Sequence, residues 1–198
     1  MKVIGISGSP RPGKDTEFLV KTALEAVKEK APTIETELIV LGLKKFSGCI
    51  ACDHCKKEFN CSQKDDLSPI LEILKAEDIK GMIIGSPVYM GSMTAQTKAF
   101  LDRTVMFRRN NFHFKHTVGA AVTIGGSRNG GQDLTLMNIH AALMIHNMII
   151  VPDANPTSHF GGTAWSKVPE GIENDKDAMD TAKNTGYSVA ELIQKLNS

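Results

Sequence analysis

Net charge is almost missing from this chain of 198 residues, since 23 basic and 22 acidic side chains leave +1. That balance excludes the global attraction to nucleic acid or anionic membrane that a basic protein would show. Also missing is any apolar run near the roughly 20 residues that span a bilayer. No signal-like segment precedes the first apolar run, so the expectation is a soluble, cytoplasmic protein without membrane or nucleic-acid partners. Repeats, low-complexity tracts and Pro/Gly/Ser linkers are lacking too, which argues for one domain over residues 1–198. Cysteine is scarce, with four in all. A chain this long builds an adequate core without staples, which argues against an extracellular disulfide scaffold.

Those four cysteines fall together, as Cys49-Ile-Ala-Cys52-Asp-His-Cys55-Lys-Lys-Glu-Phe-Asn-Cys61, a C-x2-C-x2-C-x5-C run. A soft sulfur cage selects an iron-sulfur cluster or zinc over oxygen-loving ions. Structural zinc usually draws its thiolates from two separated C-x2-4-C knuckles, and the second knuckle is absent. A cubane gives one thiolate to each of four irons, so its sulfurs stand farther apart, which suits ligands at i, i+3 and i+6 on a wrapping loop. The bacterial ferredoxin run ends C-x3-C-P and lends its last cysteine to a second cluster. Here the last gap is five residues without proline, and no other cysteine could complete a second site. One 4Fe-4S cluster held by Cys49, Cys52, Cys55 and Cys61, in a loop insert over 46–62, is the economical reading. Zinc, or a disulfide or redox-thiol pair, is the alternative. His54 either hydrogen-bonds to the cluster or faces water.

Elsewhere short apolar runs alternate with helical stretches, the pattern of an α/β domain with a parallel sheet. Strands are expected at 2–7, 36–41, 80–85, 118–124 and 148–152. Helices are expected at 16–30, 67–75, 95–107, 132–147 and 176–196, the first with Phe18, Leu19, Ala23, Leu24 and Val27 on one face. This fits a doubly wound five-stranded flavodoxin-like sheet, order 2-1-3-4-5, with the cysteine loop after strand 2. Residues 153–175 show no periodicity and read as a lid, binding loop or subunit contact.

In such sheets ligands sit beyond the carboxyl ends of the strands. After strand 1 comes Ser7-Gly8-Ser9-Pro10-Arg11-Pro12-Gly13-Lys14-Asp15-Thr16. The hydroxyls of Ser7, Ser9 and Thr16, the Arg11 fork, Lys14 and the free N–H groups of a helix start can surround a phosphate dianion. Gly8-x4-Gly13-Lys14 also matches the opening of a Walker A motif. Asp15 stands where that motif needs Ser or Thr, Pro10 and Pro12 delete two backbone donors, and no aspartate ends strand 3. A nucleotidase is therefore disfavoured. A dinucleotide Rossmann site lacks its G-x-G-x-x-G spacing and the acidic residue after strand 2. Strand 3 leads into Ser86-Pro87-Val88-Tyr89-Met90-Gly91, and strand 4 into Gly125-Gly126-Ser127-Arg128-Asn129-Gly130-Gly131. Such loops bring backbone N–H groups close to a flat heteroaromatic ring and give it an apolar face. Each alone is also an ordinary tight turn.

G-S-P-R in the first loop, S-P-V-Y-M-G-S-M-T-A-Q-T-K-A-F-L-D-R in the second and G-G-S-R-N-G-G-Q in the third resemble the NADPH-dependent FMN reductase family of the flavodoxin-like superfamily. With the cysteine run, the chain looks most like the iron-sulfur flavoproteins of anaerobes, over about residues 1–152. The resemblance implies FMN, a 4Fe-4S cluster and a homodimer or homotetramer that brings one subunit's cluster near another's flavin. It implies that Ser9, Arg11 and Thr16 hold the phosphate, with Ser7, Lys14 and Asp15 beside them. Pro87, Val88, Tyr89, Met90 and Gly91 would line the ring, and Gly125, Gly126, Gly130 and Gly131 would cover its other edge. Where the family commonly reads Gly-Asn before the threonine, this chain has Lys14-Asp15. A carboxylate there conflicts with a phosphate, so Asp15 is expected to turn away and cap the first helix while Lys14 compensates.

The resulting expectation is an oxidoreductase passing electrons between a ferredoxin-like donor and a small oxidant such as dioxygen, peroxide or a quinone. It needs no catalytic acid or base. The alternatives are an NAD(P)H-dependent FMN or quinone reductase with zinc or idle cysteines, and a flavodoxin-type carrier. Arg108, Arg109, Lys115 and His116 among Phe107, Phe112 and Phe114 read as a solvated helix end, and His113 and His116 as surface histidines. Trp165, with His159 and Phe160, either closes over the flavin or packs on a neighbour.

Overall fold

Strand β1 (Lys2–Ser7) is buried on both faces, as a central parallel strand must be when helices cover both sides of a sheet. A computed structural model of the chain describes residues 1–169 and 171–198. β1 pairs in parallel with β2 (Glu35–Val40) on one side and with β3 (Ile79–Pro87) on the other. β4 (Val118–Gly125) and β5 (Ile149–Ile150) continue the sheet in the order β2-β1-β3-β4-β5, as expected from the sequence.

Successive strand residues point to opposite faces, and the core divides accordingly. Val3, Ile83, Ala120 and Val122 pack with Leu19, Val20, Ala23 and Val27 of α1 (Asp15–Lys30) and with Ala182, Val189 and Ile193 of α6 (Lys176–Leu196). Ile4, Ile6, Met82, Ile84 and Ala121 face the other layer. That layer is α2 (Ser68–Ile73), α3 (Ala95–Arg103), α4 (Val105–Arg109) and α5 (Gln132–Met144). Phe18, expected on the inner face of α1, is instead 39% exposed. Among the described residues, no helix is long and apolar enough to cross a membrane.

Three expectations are corrected. A sixth strand, β6 (Gly162–Trp165), lies inside the stretch that showed no periodicity. It pairs with Val122–Gly125, whereas β5 pairs only with Val118 and Gly119, so two short strands share the lane beside β4. The intervening excursion folds back on Asp153, a fully buried carboxylate that accepts from the His159 backbone N–H and approaches the ring Nδ1 at 3.1 Å. Second, the helix expected at 95–107 is broken at Thr104. Its hydroxyl donates to the Leu101 carbonyl at 2.7 Å, a side-chain bond that competes with the helical ladder. Third, α5 stops early because Asn147 adopts a left-handed φ of 58° after the last turn.

Candidate functional site

The loops that leave β1, β3 and β4 meet at the carboxyl edge of the sheet. Ser7 ends β1 with its Oγ fully buried and without a hydrogen-bond partner among the described residues. Ser9 is buried and its Oγ accepts the Arg11 N–H at 3.2 Å, while Arg11 and Lys14 lie exposed at the rim. Buried Thr16 sits in the first turn of α1. That turn has free N–H groups and the positive end of the helix dipole, and so offers an anion seat with an orphan hydroxyl at its floor.

Asp15 does not cap α1. The N-cap is Lys14, with no side-chain cap bond, and Asp15 is the first helical residue. Glu17, one turn in, reaches back to accept the Gly13 N–H at 2.7 Å and pairs with Lys21 at 2.7 Å. The Lys21 bond first, and then the Gly13 bond, hold its carboxyl below the usual range. Glu17 is a residue that sequence reasoning missed, although a glutamate three positions after the N-cap is half of a capping box.

Thr94 and Thr97 were missed as well. Both are fully buried and grip the first loop, Thr94 donating to the Gly8 carbonyl at 2.6 Å and Thr97 at 3.3 Å. Thr94 also caps α3 by accepting the Thr97 N–H at 3.1 Å. A Cβ on Gly8 would strike Thr97 Oγ1, which is why a glycine stands there.

In the second loop Pro87 still belongs to β3, and the Val88 N–H donates to the Ile124 carbonyl at 2.9 Å. Tyr89 and Ser92 exchange two backbone bonds around Met90 and Gly91, whose φ values of 50° and 74° define a tight left-handed turn. Met90 is thereby fully solvent-exposed and Tyr89 half so. The third loop meets the second, because a Cβ on Gly131 would lie 3.3 Å from Val88 Cγ1 and from Gly91 Cα. Gly126 borders open space, and Gly130 packs on Ser127. Gln132 Nε2 donates to the Ser127 carbonyl at 2.8 Å, while its buried Oε1 lacks a partner among the described residues. The three loops thus form one continuous rim with unused polar atoms, the Ser7 hydroxyl as a donor and Gln132 Oε1 as an acceptor, a set that fits a phosphorylated, amide-edged cofactor.

The cysteine loop follows β2. Left-handed φ values at Ala51 (53°) and Asp53 (61°) wrap the chain so that all four thiols line one shallow hollow. Cys55 is buried, Cys61 half-buried, and Cys49 and Cys52 are exposed. Donors already face the sulfurs: Ala51 N–H to Cys49 at 3.4 Å, Arg109 to Cys55 at 3.3 Å, and the Ser62 hydroxyl beside Cys52 at 3.0 Å. The Ser62 contact, followed by the His54 backbone, lowers the Cys52 thiol. His54 Nε2 contacts Asn60 Oδ1 at 2.6 Å, so it braces the loop. Among the described residues, no three His, Cys, Asp or Glu side chains converge as a single ion requires.

Arg103 closes the base of this loop. Its side chain is 1% exposed and forks onto Asp65 at 2.8 and 3.3 Å, onto the Ser47 carbonyl at 3.1 Å and onto the Gln63 carbonyl at 3.3 Å. Burial opposes charge on both partners, and their pairing overcomes it, holding the Asp65 carboxyl below its ordinary range. Nε of Arg103 is buried in the wall of the hollow without a partner among the described residues. An orphan donor beside four thiols fits an acceptor-rich inorganic centre. Arg109, expected on a solvated helix end, faces Cys55 instead, and His113 stacks between Phe59 and Phe107 at 5.4 and 5.6 Å.

A parallel sheet of this order, with an anion seat after β1 and glycine-bearing loops after β3 and β4, defines a flavodoxin-like redox protein. The chain belongs to the NADPH-dependent FMN reductase family, whose model matches residues 1–162. It is 47% identical over 194 residues to an iron-sulfur flavoprotein of Methanocaldococcus jannaschii, spanning 98% of each chain. An iron-sulfur flavoprotein of Methanosarcina thermophila is 44% identical over 195 residues, again across 98% of both. Among solved structures, the WrbA-like flavodoxin of Agrobacterium tumefaciens has a TM-score of 0.66 at 17% identity over 98% of each chain, a likeness of fold. The protein is accordingly an oxidoreductase with flavin redox activity and FMN as its cofactor.

Proposed function

We propose that the protein passes electrons between a ferredoxin-like one-electron donor and a small two-electron acceptor, dioxygen, peroxide or a quinone, using FMN and one 4Fe-4S cluster. The observation that carries this reading is the single hollow lined by all four thiols, with sulfur-facing donors in place, on the same chain as an FMN rim. Flavin stores electrons in pairs and an iron-sulfur cluster passes them singly, so the two convert one kind of transfer into the other.

Cys49, Cys52, Cys55 and Cys61 hold the cluster. Ser7, Ser9, Arg11, Lys14 and Thr16 hold the phosphate at the start of α1. Pro87 to Gly91, with Gly125, Gly126, Gly130 and Gly131, bound the ring and exclude water from its edges. Four free thiols fit a reducing compartment such as the cytoplasm. The outer face of α5 and the Ile145 that follows it expose Leu134, Met137, Met144 and Ile145 at 43–63%, an apolar stripe that a second copy of the chain in a homodimer or homotetramer would cover.

Anaerobic purification followed by a visible spectrum and flavin, iron and sulfide analysis tests the proposal. The expected composition is about four irons and four sulfides per FMN. Zinc without sulfide would reject the cluster and leave an NAD(P)H-dependent FMN or quinone reductase.

A further inference from the structure

The four sulfurs are not equivalent. Cys55 is the one buried thiol, and Arg109 donates a guanidinium N–H to its sulfur. Arg109, at the end of α4, places one guanidinium nitrogen 3.3 Å from Cys55 Sγ and the other 3.0 Å from Asp53 Oδ1. Asp53 also receives Lys56 at 2.9 Å. The next residue, Asn110, donates to the Cys55 carbonyl at 3.1 Å, so α4 grips both the side chain and the backbone of the same cysteine. A flexible surface arginine would lack these restraints. This one is fixed between a sulfur and a carboxylate, with its side chain 23% exposed.

We infer that Arg109 is a positioning residue that acts through Cys55 to set the reduction potential of the metal centre, with Asp53 as an opposing weight. The inference rests on the cluster reading of the four thiols. Reduction there takes up one electron, with no bond made or broken and no proton required, so the whole change is one added negative charge behind the thiolates. A guanidinium bonded to one sulfur favours the more negative state and raises the potential, as hydrogen bonds and charge near cluster sulfurs do generally. The Asp53 carboxylate, one bond farther out, works in the opposite sense while it aims the fork. The FMN rim contains neither residue, so the flavin potential is independent of both.

The test is a redox titration of anaerobically reconstituted protein, following the cluster by its paramagnetic signal and the flavin by absorbance, with iron and sulfide assayed in every variant. Arg109→Gln is expected to shift the cluster midpoint to more negative values and to leave the flavin midpoint in place. Asp53→Asn is expected to shift the cluster the other way, since Asn suits the left-handed φ of 61° at that position and still accepts from the guanidinium. Arg109→Lys keeps the charge without the fork and should fall between wild type and Arg109→Gln. Loaded variants whose cluster midpoints all match wild type would overturn the inference while leaving the cluster reading intact. A wild-type protein that takes up no iron and sulfide would end both.

Discussion

Replacing Arg103 with Met tests whether one buried guanidinium organises the cysteine loop. The substitution keeps much of the volume and removes two bonds to Asp65 and one each to the Ser47 and Gln63 carbonyls. Breaking a buried ion pair from one side costs about 3–5 kcal/mol, because the partner charge is left behind. Asp65 retains 19% exposure and can turn toward water, which places the cost at the lower end, about 3 kcal/mol. At 1.4 kcal/mol per decade that is roughly a hundredfold shift toward an open loop. The loss should be local: amides of 44–66 exchange faster with deuterium, those of β1 and β3 exchange as before, and reconstituted protein loses iron sooner. Arg103→Lys, which keeps the charge and forfeits the fork, should show a smaller loss. Unchanged loop exchange and unchanged iron retention in Arg103→Met would refute the reasoning.

Acid should weaken the fold through two histidines. Burial pushes His140 from 6.5 down to about 4, and burial together with Arg108 does the same for His146. The unfolded chain therefore binds more protons between those values, so stability falls as pH drops from 6.5 toward 4, by about 2 kcal/mol per histidine at pH 5. Urea titrations at pH 7 and pH 5 should show a smaller pH-dependent loss in His146→Gln than in wild type, and equal losses would reject the assignment. Asp15→Asn should tighten FMN binding up to about fivefold, since it removes a like charge whose repulsion of the phosphate is about 1 kcal/mol at ~4 Å in water. An unaltered dissociation constant in a fluorescence titration would show that the carboxylate does not sense the phosphate.

Much of the fold was legible because doubly buried strands read as apolar runs and the cysteines are confined to one stretch. β6 was not, because Gly162-Thr-Ala-Trp165 carries no alternation. Gly162 is there so that its backbone can approach Val122, where a Cβ would come within 2.7 Å. The cap of α1 was misassigned by one residue. Asp15 has the right chemistry, yet the chain enters the helix one residue earlier, and Glu17 is then in register to reach Gly13. The cysteine ligand set could be proposed from spacing, whereas Arg109 could not be placed at Cys55, since 54 positions separate them and only the docking of α4 brings them together.

What sequence could not suggest is that a single short helix serves both candidate sites. Thr94, capping α3, holds the Gly8 carbonyl of the first loop, and Arg103, its last residue, holds the base of the cysteine loop. Between them the cysteine loop runs along the helix, with Gly48 beside Ala99 and Asp102. A helix is among the stiffest short spacers a protein can build. At 1.5 Å per residue, nine residues fix the two grips about 14 Å apart. Loops that long would otherwise drift independently, yet electron transfer needs a constant separation between centres. The string S-M-T-A-Q-T-K-A-F-L-D-R, from Ser92 to Arg103, therefore does more than follow a flavin loop: its two threonines and its arginine tie the two loops to one rigid rod.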